Sequence, residues 1–325
     1  MTTDPVPPQW ERSVLEKVAL KALDEQRRSR QWGALFKLLW FGFAFLVFAA
    51  WMGWLGRPDK DALSGASVGR HTAVVKLEGV IGLESKASAE KMIKGLDRAF
   101  KDTNTAGVIL KINSPGGSPV QAGYINDEIR RLRAKYPSIP IYAVIQDLCA
   151  SGGYYVAVAA DRIFVDKASL VGSIGVIMNG FGFVGTMDKL GIERRAYTAG
   201  ENKDFLDPFA PENPAQKEYA QKMLNEIHQQ FIKVVRTGRG SRLKESPEIF
   251  SGLIWTGEKS VELGLADGLG SAESVARDVI KAERLVDFTP EEGYFESISK
   301  RLGTTFGSAF GRAALEAAQR PVEVR

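Results

Sequence analysis

Residues 141–155 read IYAVIQDLCASGGYY, a β-rich run that passes through small residues into the start of a helix. The same change occurs earlier, where GVILKI at 107–112 is followed by NSPGGS at 113–118. Short apolar runs that end at glycine and lead into helical periodicity are typical of strands in an α/β sheet. These two stretches therefore predict parallel strands joined by helices, with a glycine-rich loop after each strand.

The alternation continues on both sides of these stretches. Strands are predicted at 71–77, 107–112, 141–146, 162–166, 172–178 and 194–198, and helices at 88–102, 120–135 and 152–160. Asn213 and Pro214 are predicted to begin a long helix that ends at Gly238. Thr256 is predicted to cap a shorter helix that stops at Gly264. The predicted fold class is α/β with mainly parallel pairing.

Both glycine-rich loops place backbone N–H groups at the start of a helix, which suits an anion. Neither loop has the spacing of a phosphate loop or of a dinucleotide fingerprint, and tight turns that need glycine are the alternative for each. Ser151 stands out because it lies at a strand-to-helix junction, followed by Gly152, whose N–H can help to hold an oxyanion. The G-x-S-x-G spacing of an α/β-hydrolase is not met, because Cys149 stands two residues before this serine.

A serine nucleophile needs a base, and histidine is scarce in this chain. The two histidines are His71, which opens a strand, and His228, which lies inside the long helix. Neither stands in a loop with a glycine-rich or acidic partner, so both are interpreted as structural. A lysine is the alternative base, because burial disfavours the charged ammonium and leaves an amine that accepts a proton. The composition does not indicate which lysine would act as this base.

Several motifs, in order along the chain, resemble those of one known family. They are NSPGG at 113–117, ASGGYY at 150–155, GSIGV at 172–176 and TAGENKD at 198–204, accompanied by WTG at 255–257 and GLADGLG at 264–270. Over residues 70–285 the chain resembles the signal peptide peptidase A family of membrane-anchored serine proteases. The resemblance implies the Clp protease/crotonase fold, built from repeated strand–strand–helix units. The short length resembles the single-repeat form of the family.

The resemblance also implies a role for five residues. Ser151 is implied as nucleophile and Lys203, 52 positions further on, as general base of a Ser-Lys dyad. Gly117 and Gly152 are implied as the oxyanion hole, and Ser173 as the hydroxyl that orients the lysine. Neither a cofactor nor a metal is implied. Members of the single-repeat form assemble as homo-oligomeric rings with neighbouring subunits lining the groove, and the implied activity is degradation of cleaved signal peptides in or at the membrane.

A separate feature lies near the N-terminus, where residues 38–56 form a run of nineteen uncharged residues. As a helix this run spans roughly 28 Å, close to the thickness of a bilayer core. Seven basic residues precede it. Since Lys and Arg are retained on the cytoplasmic side, the N-terminus is predicted in the cytosol and the catalytic domain on the periplasmic, or extracytoplasmic, side of a bacterial inner membrane. A cleaved signal peptide is the alternative, disfavoured by the length of the preceding segment.

The charge balance argues against one class of partner. Residues 1–57 carry eight basic and five acidic residues, so most of the net charge of +4 belongs to the membrane end of the chain. The nearly neutral remainder predicts no basic patch and no nucleic acid partner. The single cysteine, Cys149, cannot form an internal disulfide and is interpreted as a packed thiol.

These features predict five parts in the chain. They are a cytosolic segment at 1–37, a transmembrane helix at 38–56, a linker at 57–69, a serine protease domain at 70–285 and a C-terminal tail at 286–325. Two other functions stay open. A crotonase-type acyl-thioester enzyme has the same fold, but export argues against it because coenzyme A is cytosolic. A catalytically idle membrane scaffold is the other, and the intact Ser151 and Lys203 argue against it.

Overall fold

The computed structural model of this chain describes residues 31–33, 35–48 and 69–290. The chain divides into two units, Met1–Ser67 and Val68–Arg325. In the first unit, helix α1 covers Gln31–Phe48, with a mean hydropathy of 1.5. Its length and composition suit a membrane span, and a signal sequence has the same properties. The rest of the predicted span, the linker up to residue 68 and the tail from residue 291 lie outside the described residues.

The second unit is built around an eight-stranded sheet. Its strands are β1 (His71–Glu78), β2 (Thr105–Ser114), β3 (Ile141–Ala150), β4 (Arg162–Val165), β5 (Leu170–Gly172), β6 (Ile254–Thr256), β7 (Gly268–Leu269) and β8 (Leu285–Asp287). Its helices are α2 (Ala89–Lys101), α3 (Pro119–Lys135), α4 (Gly152–Ala157), α5 (Val184–Leu190), α6 (Pro214–Arg239), α7 (Gly257–Glu262) and α8 (Ala272–Ser274), which a π-helical turn (Val275–Ile280) continues.

The strand order β6-β5-β3-β2-β1-β8, with β4 between β3 and β7, brings the two glycine-rich loops together. All the pairs are parallel except β5 with β6. Strand β3 forks, because its first half pairs with β4 and its last three residues pair with β5. In the register of β2 and β3, Ser114 lies opposite Cys149. Because the carboxyl ends of parallel strands meet at one edge, the loops at 113–118 and 149–153 leave the sheet side by side.

Each face of the sheet has its own core, because successive side chains of a strand point to opposite faces. On one face Leu77, Leu110 and Ile112 are fully buried in a core shared with α2, α3 and α4. On the other face Ile109 and Phe164 pack with residues of α8 and of the turn that follows it. The central strands are therefore covered on both faces, which explains why they read as continuous apolar runs rather than alternating ones.

The predicted α/β class with mainly parallel pairing is confirmed. One predicted strand is too long, and another is absent. The strand predicted at 172–178 ends at Gly172, because Ser173 turns the backbone away from the sheet at a φ of 51°. No strand is present at 194–198, where the residues are exposed and form no β-ladder with another strand. The long helix starts as predicted, with the Asn213 side chain accepting from the N–H of Ala215. It ends one residue later than predicted, at Arg239.

Candidate active site

Ser151 forms the corner between β3 and α4. Its backbone has a φ of 52° and a ψ of −122°, a conformation that residues with a β-carbon rarely adopt. The corner is held on both sides, since the Ser151 N–H donates to the Gly172 carbonyl at 2.9 Å and its carbonyl accepts from the Tyr155 N–H at 3.0 Å. Backbone strain of this kind persists only where the surroundings enforce it and is common at functional residues.

The loop after β2 lies directly against this corner. A β-carbon on Gly116, where φ is 96°, would lie 2.7 Å from the Ser151 Cβ and 2.6 Å from the Gly152 nitrogen. One on Gly117 would lie 2.1 Å from the Ile81 carbonyl oxygen. No side chain fits at either position, so the two glycines are required for the close approach of one loop to the other.

Two backbone N–H groups at this contact are available to a ligand. A β-carbon on Gly152 would lie 3.3 Å from the Gly117 nitrogen, so the two glycines are neighbours in space. In the part of the chain that the structure describes, neither of these two N–H groups donates a hydrogen bond to another group of the protein. Adjacent N–H groups beside a serine hydroxyl are the arrangement that stabilises a developing oxyanion.

Ser114 supports this loop, a role that the sequence analysis missed. Its buried hydroxyl donates to the Gly79 carbonyl at 2.7 Å and accepts from the Gly116 N–H at 3.1 Å. Two further bonds join the same segments, from the Ile81 N–H to the Gly116 carbonyl and from the Ser118 N–H to the Ile81 carbonyl. The loop that carries Gly117 is therefore fixed to the end of β1. The NSPGG motif contains this serine, but its spacing does not reveal the partner.

A cleft of about 550 Å³ opens at Ser151. Gly117, Gly152 and Ser173 also line it, so four of the five predicted site residues share one cleft. Its remaining lining residues are Pro115, Pro119, Ala122, Tyr155, Gly175, Val176, Ile177, Ile227, Gln230, Phe231, Ser251 and Gly252. None of these described lining residues is charged. A mostly apolar cleft with a few polar groups is typical of a site that binds an apolar ligand.

The structure does not bring Lys203 into this cleft. Lys203 is exposed, and its backbone N–H donates to the Gly200 carbonyl at 3.1 Å within a series of turns. It belongs to a segment, residues 176–213, that we call the arm and that leaves the cleft at Ile177. The arm packs on itself, with the Phe183 and Phe209 rings stacked at 5.3 Å. Periodicity could not predict this placement, because the arm has little regular structure.

The arm exposes many apolar side chains. Those at least two-fifths exposed are Ile177, Met178, Phe181, Phe183, Leu190, Ile192, Tyr197 and Phe209. Monomeric proteins rarely expose so many large apolar residues in one segment, and such surfaces mark contacts with other molecules.

The histidines and the cysteine do not form a catalytic group with Ser151. His71 is 1% exposed and its ring stacks on Phe288. His228 contacts the Ile174 carbonyl rather than the serine. Cys149 is buried, and burial raises the pKa of its thiol, which agrees with a packed thiol. Among residues 31–33, 35–48 and 69–290, no three His, Cys, Asp or Glu side chains gather where they could hold a metal ion.

A buried ion pair joins the end of α6 to the residue before β7. Arg239, 1% exposed, makes a bidentate pair with Asp267 at 2.8 and 2.9 Å and donates to the Gly264 carbonyl. Burial raises the pKa of the Asp267 carboxyl, but the hydrogen bonds and charge of Arg239 and the N–H of Ile163 outweigh it and leave that pKa below its ordinary value. The Tyr154 hydroxyl donates to the Leu265 carbonyl at 2.8 Å, so this network also holds the helix that follows Ser151.

Replacing Asp267 with Asn should lower the free energy of unfolding at pH 7 by about 3–5 kcal/mol, because Arg239 would remain buried without a carboxylate. A depressed carboxyl pKa contributes stability above the unfolded value of about 3.9, and this is lost as pH falls through the folded value. The difference between wild type and Asp267→Asn should therefore shrink below about pH 4. Urea denaturation in detergent, followed by circular dichroism at pH 7 and pH 3, measures it. Asp278→Asn, which removes an exposed pair with Arg277, is the control and should change the free energy of unfolding little. A difference between wild type and Asp267→Asn that does not depend on pH would contradict the account.

The fold and the corner at Ser151 define a class of protein. A mainly parallel α/β sheet with a serine at a strand-to-helix corner, beside two N–H groups on adjacent loops, is the arrangement of a Clp protease/crotonase-like domain. Within that class, the model of peptidase family S49, a serine protease family, matches residues 133–286 of this chain. The matched range contains Ser151, Ser173 and Lys203. The family resemblance found in the sequence is thereby confirmed.

Several named proteins are similar to this chain. A Methanocaldococcus jannaschii protein that is provisionally named as a protease is 36% identical over 209 residues, which cover 64% of this chain and 65% of that protein. An Enterococcus faecium protein with the provisional name signal peptide peptidase SppA is 32% identical over 200 residues, 62% of this chain and 58% of that protein. A Brucella melitensis protein named Na(+)/H(+) antiporter NhaA is 43% identical over 209 residues, 63% of this chain.

The chain spans 28% of the Brucella protein and less than two thirds of the other two. The antiporter name belongs to a much longer protein and is not transferred to this chain. The two protease names agree with the family whose model matches here.

Proposed function

We propose that the chain is a membrane-anchored serine endopeptidase with Ser151 as nucleophile and Lys203 as general base. The observation that carries the proposal is the corner at Ser151, whose strained backbone is fixed by hydrogen bonds beside two N–H groups without an acceptor in the described chain. The match of residues 133–286 to the model of peptidase family S49 supports the same activity. The proposed oxyanion hole is formed by Gly117 and Gly152, and Ser173 orients the lysine.

In the proposed reaction, the Ser151 hydroxyl oxygen attacks the peptide carbonyl carbon while the neutral amine of Lys203 takes the hydroxyl proton. A C–O bond forms, and the carbonyl electron pair moves to the oxygen, where the N–H groups of Gly117 and Gly152 stabilise it. When this intermediate collapses, the C–N bond breaks and the lysine returns the proton to the leaving amine. Water then attacks the acyl-enzyme with the lysine as base, which releases the acid and restores Ser151.

The proposed substrates are cleaved signal peptides, which are apolar and carry small residues near their ends. The uncharged lining of the cleft supports this class, because an unpaired charge would lose its hydration there. The Ala122, Ile227 and Phe231 side chains supply apolar surface close to Ser151.

We expect the full chain in detergent to hydrolyse peptide esters with Ala or Leu at the cleaved bond at least about tenfold faster, in kcat/KM, than esters with Asp or Lys, a difference of ~1.4 kcal/mol in the barrier. Matched esters that differ at one residue measure this preference. Faster hydrolysis of the charged esters would contradict the proposed substrate class.

The exposed position of Lys203 bears on the oligomeric state. Either the arm moves, or a neighbouring copy presents its arm to the cleft. The apolar side chains along the arm favour the second arrangement, since a contact between subunits would bury them. We therefore propose a homo-oligomeric ring of head-to-tail contacts, in which each Ser151 receives its lysine from the next subunit.

The apolar helix α1 supports attachment to a lipid bilayer, and the basic residues before it support an N-terminus in the cytosol. The proposed location is a bacterial inner membrane with the protease domain on the extracytoplasmic side. No nucleic acid, metal or cofactor takes part in the proposed reaction.

Alkaline phosphatase fused after residue 60 should be active, because this enzyme folds only after export, while green fluorescent protein at the same place should stay dark. Replacing Arg27, Arg28 and Arg30 with Glu should reduce the exported fraction, since these charges orient the helix. Enzyme assay and fluorescence of cells that express each fusion measure the orientation. A dark phosphatase fusion with a bright fluorescent one would overturn the topology.

A further inference from the structure

The second histidine of the chain lies beside the proposed catalytic cleft and takes no part in the proposed dyad. His228 lies about three turns before the end of α6, and Ile227, Gln230 and Phe231 on either side of it line the cleft. Its Nε2 lies 3.0 Å from the carbonyl oxygen of Ile174. A carbonyl oxygen only accepts, so this contact assigns a proton to Nε2.

The carbonyl that His228 contacts belongs to one wall of the cleft. We call residues 173–177 the wall, because Ser173, Gly175, Val176 and Ile177 all line the cleft. Ile174 points away from the cleft and is fully buried. The wall follows β5 and leaves the sheet, so contacts with neighbouring segments must fix its position.

The contacts that hold the wall come from two sides. On one side the Ser173 N–H donates to the Leu253 carbonyl at 2.7 Å, and Gly175 is so close to the chain that a β-carbon would lie 3.2 Å from the Gly252 Cα. On the other side the contact is the imidazole of His228. The wall is therefore held between the segment before β6 and the helix α6.

We propose that His228 is a positioning residue that fixes the wall at the distance from Ser151 that a bound peptide needs, an inference that rests on the proposed function. A peptide that lies in the cleft contacts the wall on one side and the loop of Gly117 on the other. A wall displaced by about 1 Å moves the scissile carbonyl away from the serine, and misplacement of this size costs about 100-fold in rate. His228 acts through the wall and does not touch the reacting atoms.

Two probes separate this role from a general effect on the fold. A small fluorophosphonate reacts with the serine hydroxyl without lying along the wall, whereas an apolar peptide ester must contact it. In full-length protein in detergent, His228→Leu should lower kcat/KM for the ester about 10- to 100-fold. The rate of fluorophosphonate labelling at Ser151 should stay within about threefold of wild type, because the oxyanion hole is unchanged and the N–H bond to the Leu253 carbonyl still holds Ser173.

Conservative variants complete the test. His228→Gln keeps an N–H donor at similar reach and should recover most of the ester hydrolysis. His228→Asn is too short to reach the carbonyl and should behave like His228→Leu, so it replaces the Leu variant if that variant does not fold. Gln229→Ala, at the exposed neighbouring position of α6, is the matched control and should behave like wild type.

The inference is overturned if the Leu and Asn variants hydrolyse the ester within about twofold of wild type. It is also overturned if ester hydrolysis and labelling fall in parallel and Gln does not rescue, because that result indicates a merely structural residue. Wild-type protein that neither hydrolyses the ester nor is labelled at Ser151 would instead contradict the proposed function.

Discussion

Replacing Ser151 with Ala should reduce peptide hydrolysis by roughly 10³–10⁶-fold, and replacing Lys203 with Ala should reduce it by a similar factor. The physical reason is that the alcohol is a poor nucleophile until a base removes its proton. The double variant should be no worse than either single variant, since nucleophile and base act as one unit. Hydrolysis of an apolar peptide ester by the full chain in detergent measures all three.

Exposed residues of the same type provide the controls for these two variants. Ser138→Ala and Lys189→Ala remove a surface serine and a surface lysine of the arm, and both should keep wild-type activity. Circular dichroism should show the same folded signal for all variants. Wild-type turnover in a folded Lys203→Ala protein would remove this lysine from the mechanism and leave Ser151 in need of another base.

Joint expression of the Ser151→Ala and Lys203→Ala chains should restore activity that neither chain has alone. If the lysine comes from the next subunit, a random ring of equal amounts contains about a quarter of sites with an intact serine and an intact lysine. The mixture should then hydrolyse the ester at about a quarter of the wild-type rate per subunit. Two affinity tags, purified in sequence, ensure that only mixed assemblies are assayed.

The alternative arrangement, in which the arm of each chain serves its own cleft, gives a different result. Every chain in the mixture then lacks one member of its dyad, and no activity returns. Mixed assemblies that stay inactive would therefore contradict the proposal that Lys203 acts between subunits, without affecting the proposed role of Ser151.

The central sheet could be predicted from sequence because each strand is bounded by local signals. The apolar run at 107–112 and the glycines after it determine both the strand and its end, and the same holds for 141–155. The strand predicted at 194–198 failed for a non-local reason. Its β-branched and aromatic pattern has no neighbouring strand to pair with, and strand propensity depends on such a partner.

The candidate site could be predicted at positions where the backbone conformation or a close contact allows only one residue type. Gly116 and Gly117 are required by close contacts, and this requirement leaves a visible motif. The supporting roles of Ser114 and His228 leave none, because each is a side-chain bond to a carbonyl far away in the sequence or in another element. The position of Lys203 could not be predicted from the sequence either, since it depends on how the arm packs.

The most direct test of the account identifies the residue that reacts with a fluorophosphonate. The full chain in detergent is labelled to completion, digested and analysed by mass spectrometry, while ester hydrolysis is followed in parallel. The account predicts one label per chain, on Ser151, and loss of hydrolysis in proportion to labelling. Hydrolysis that persists after complete labelling of Ser151, or a label that falls on another serine while activity is lost, would contradict it.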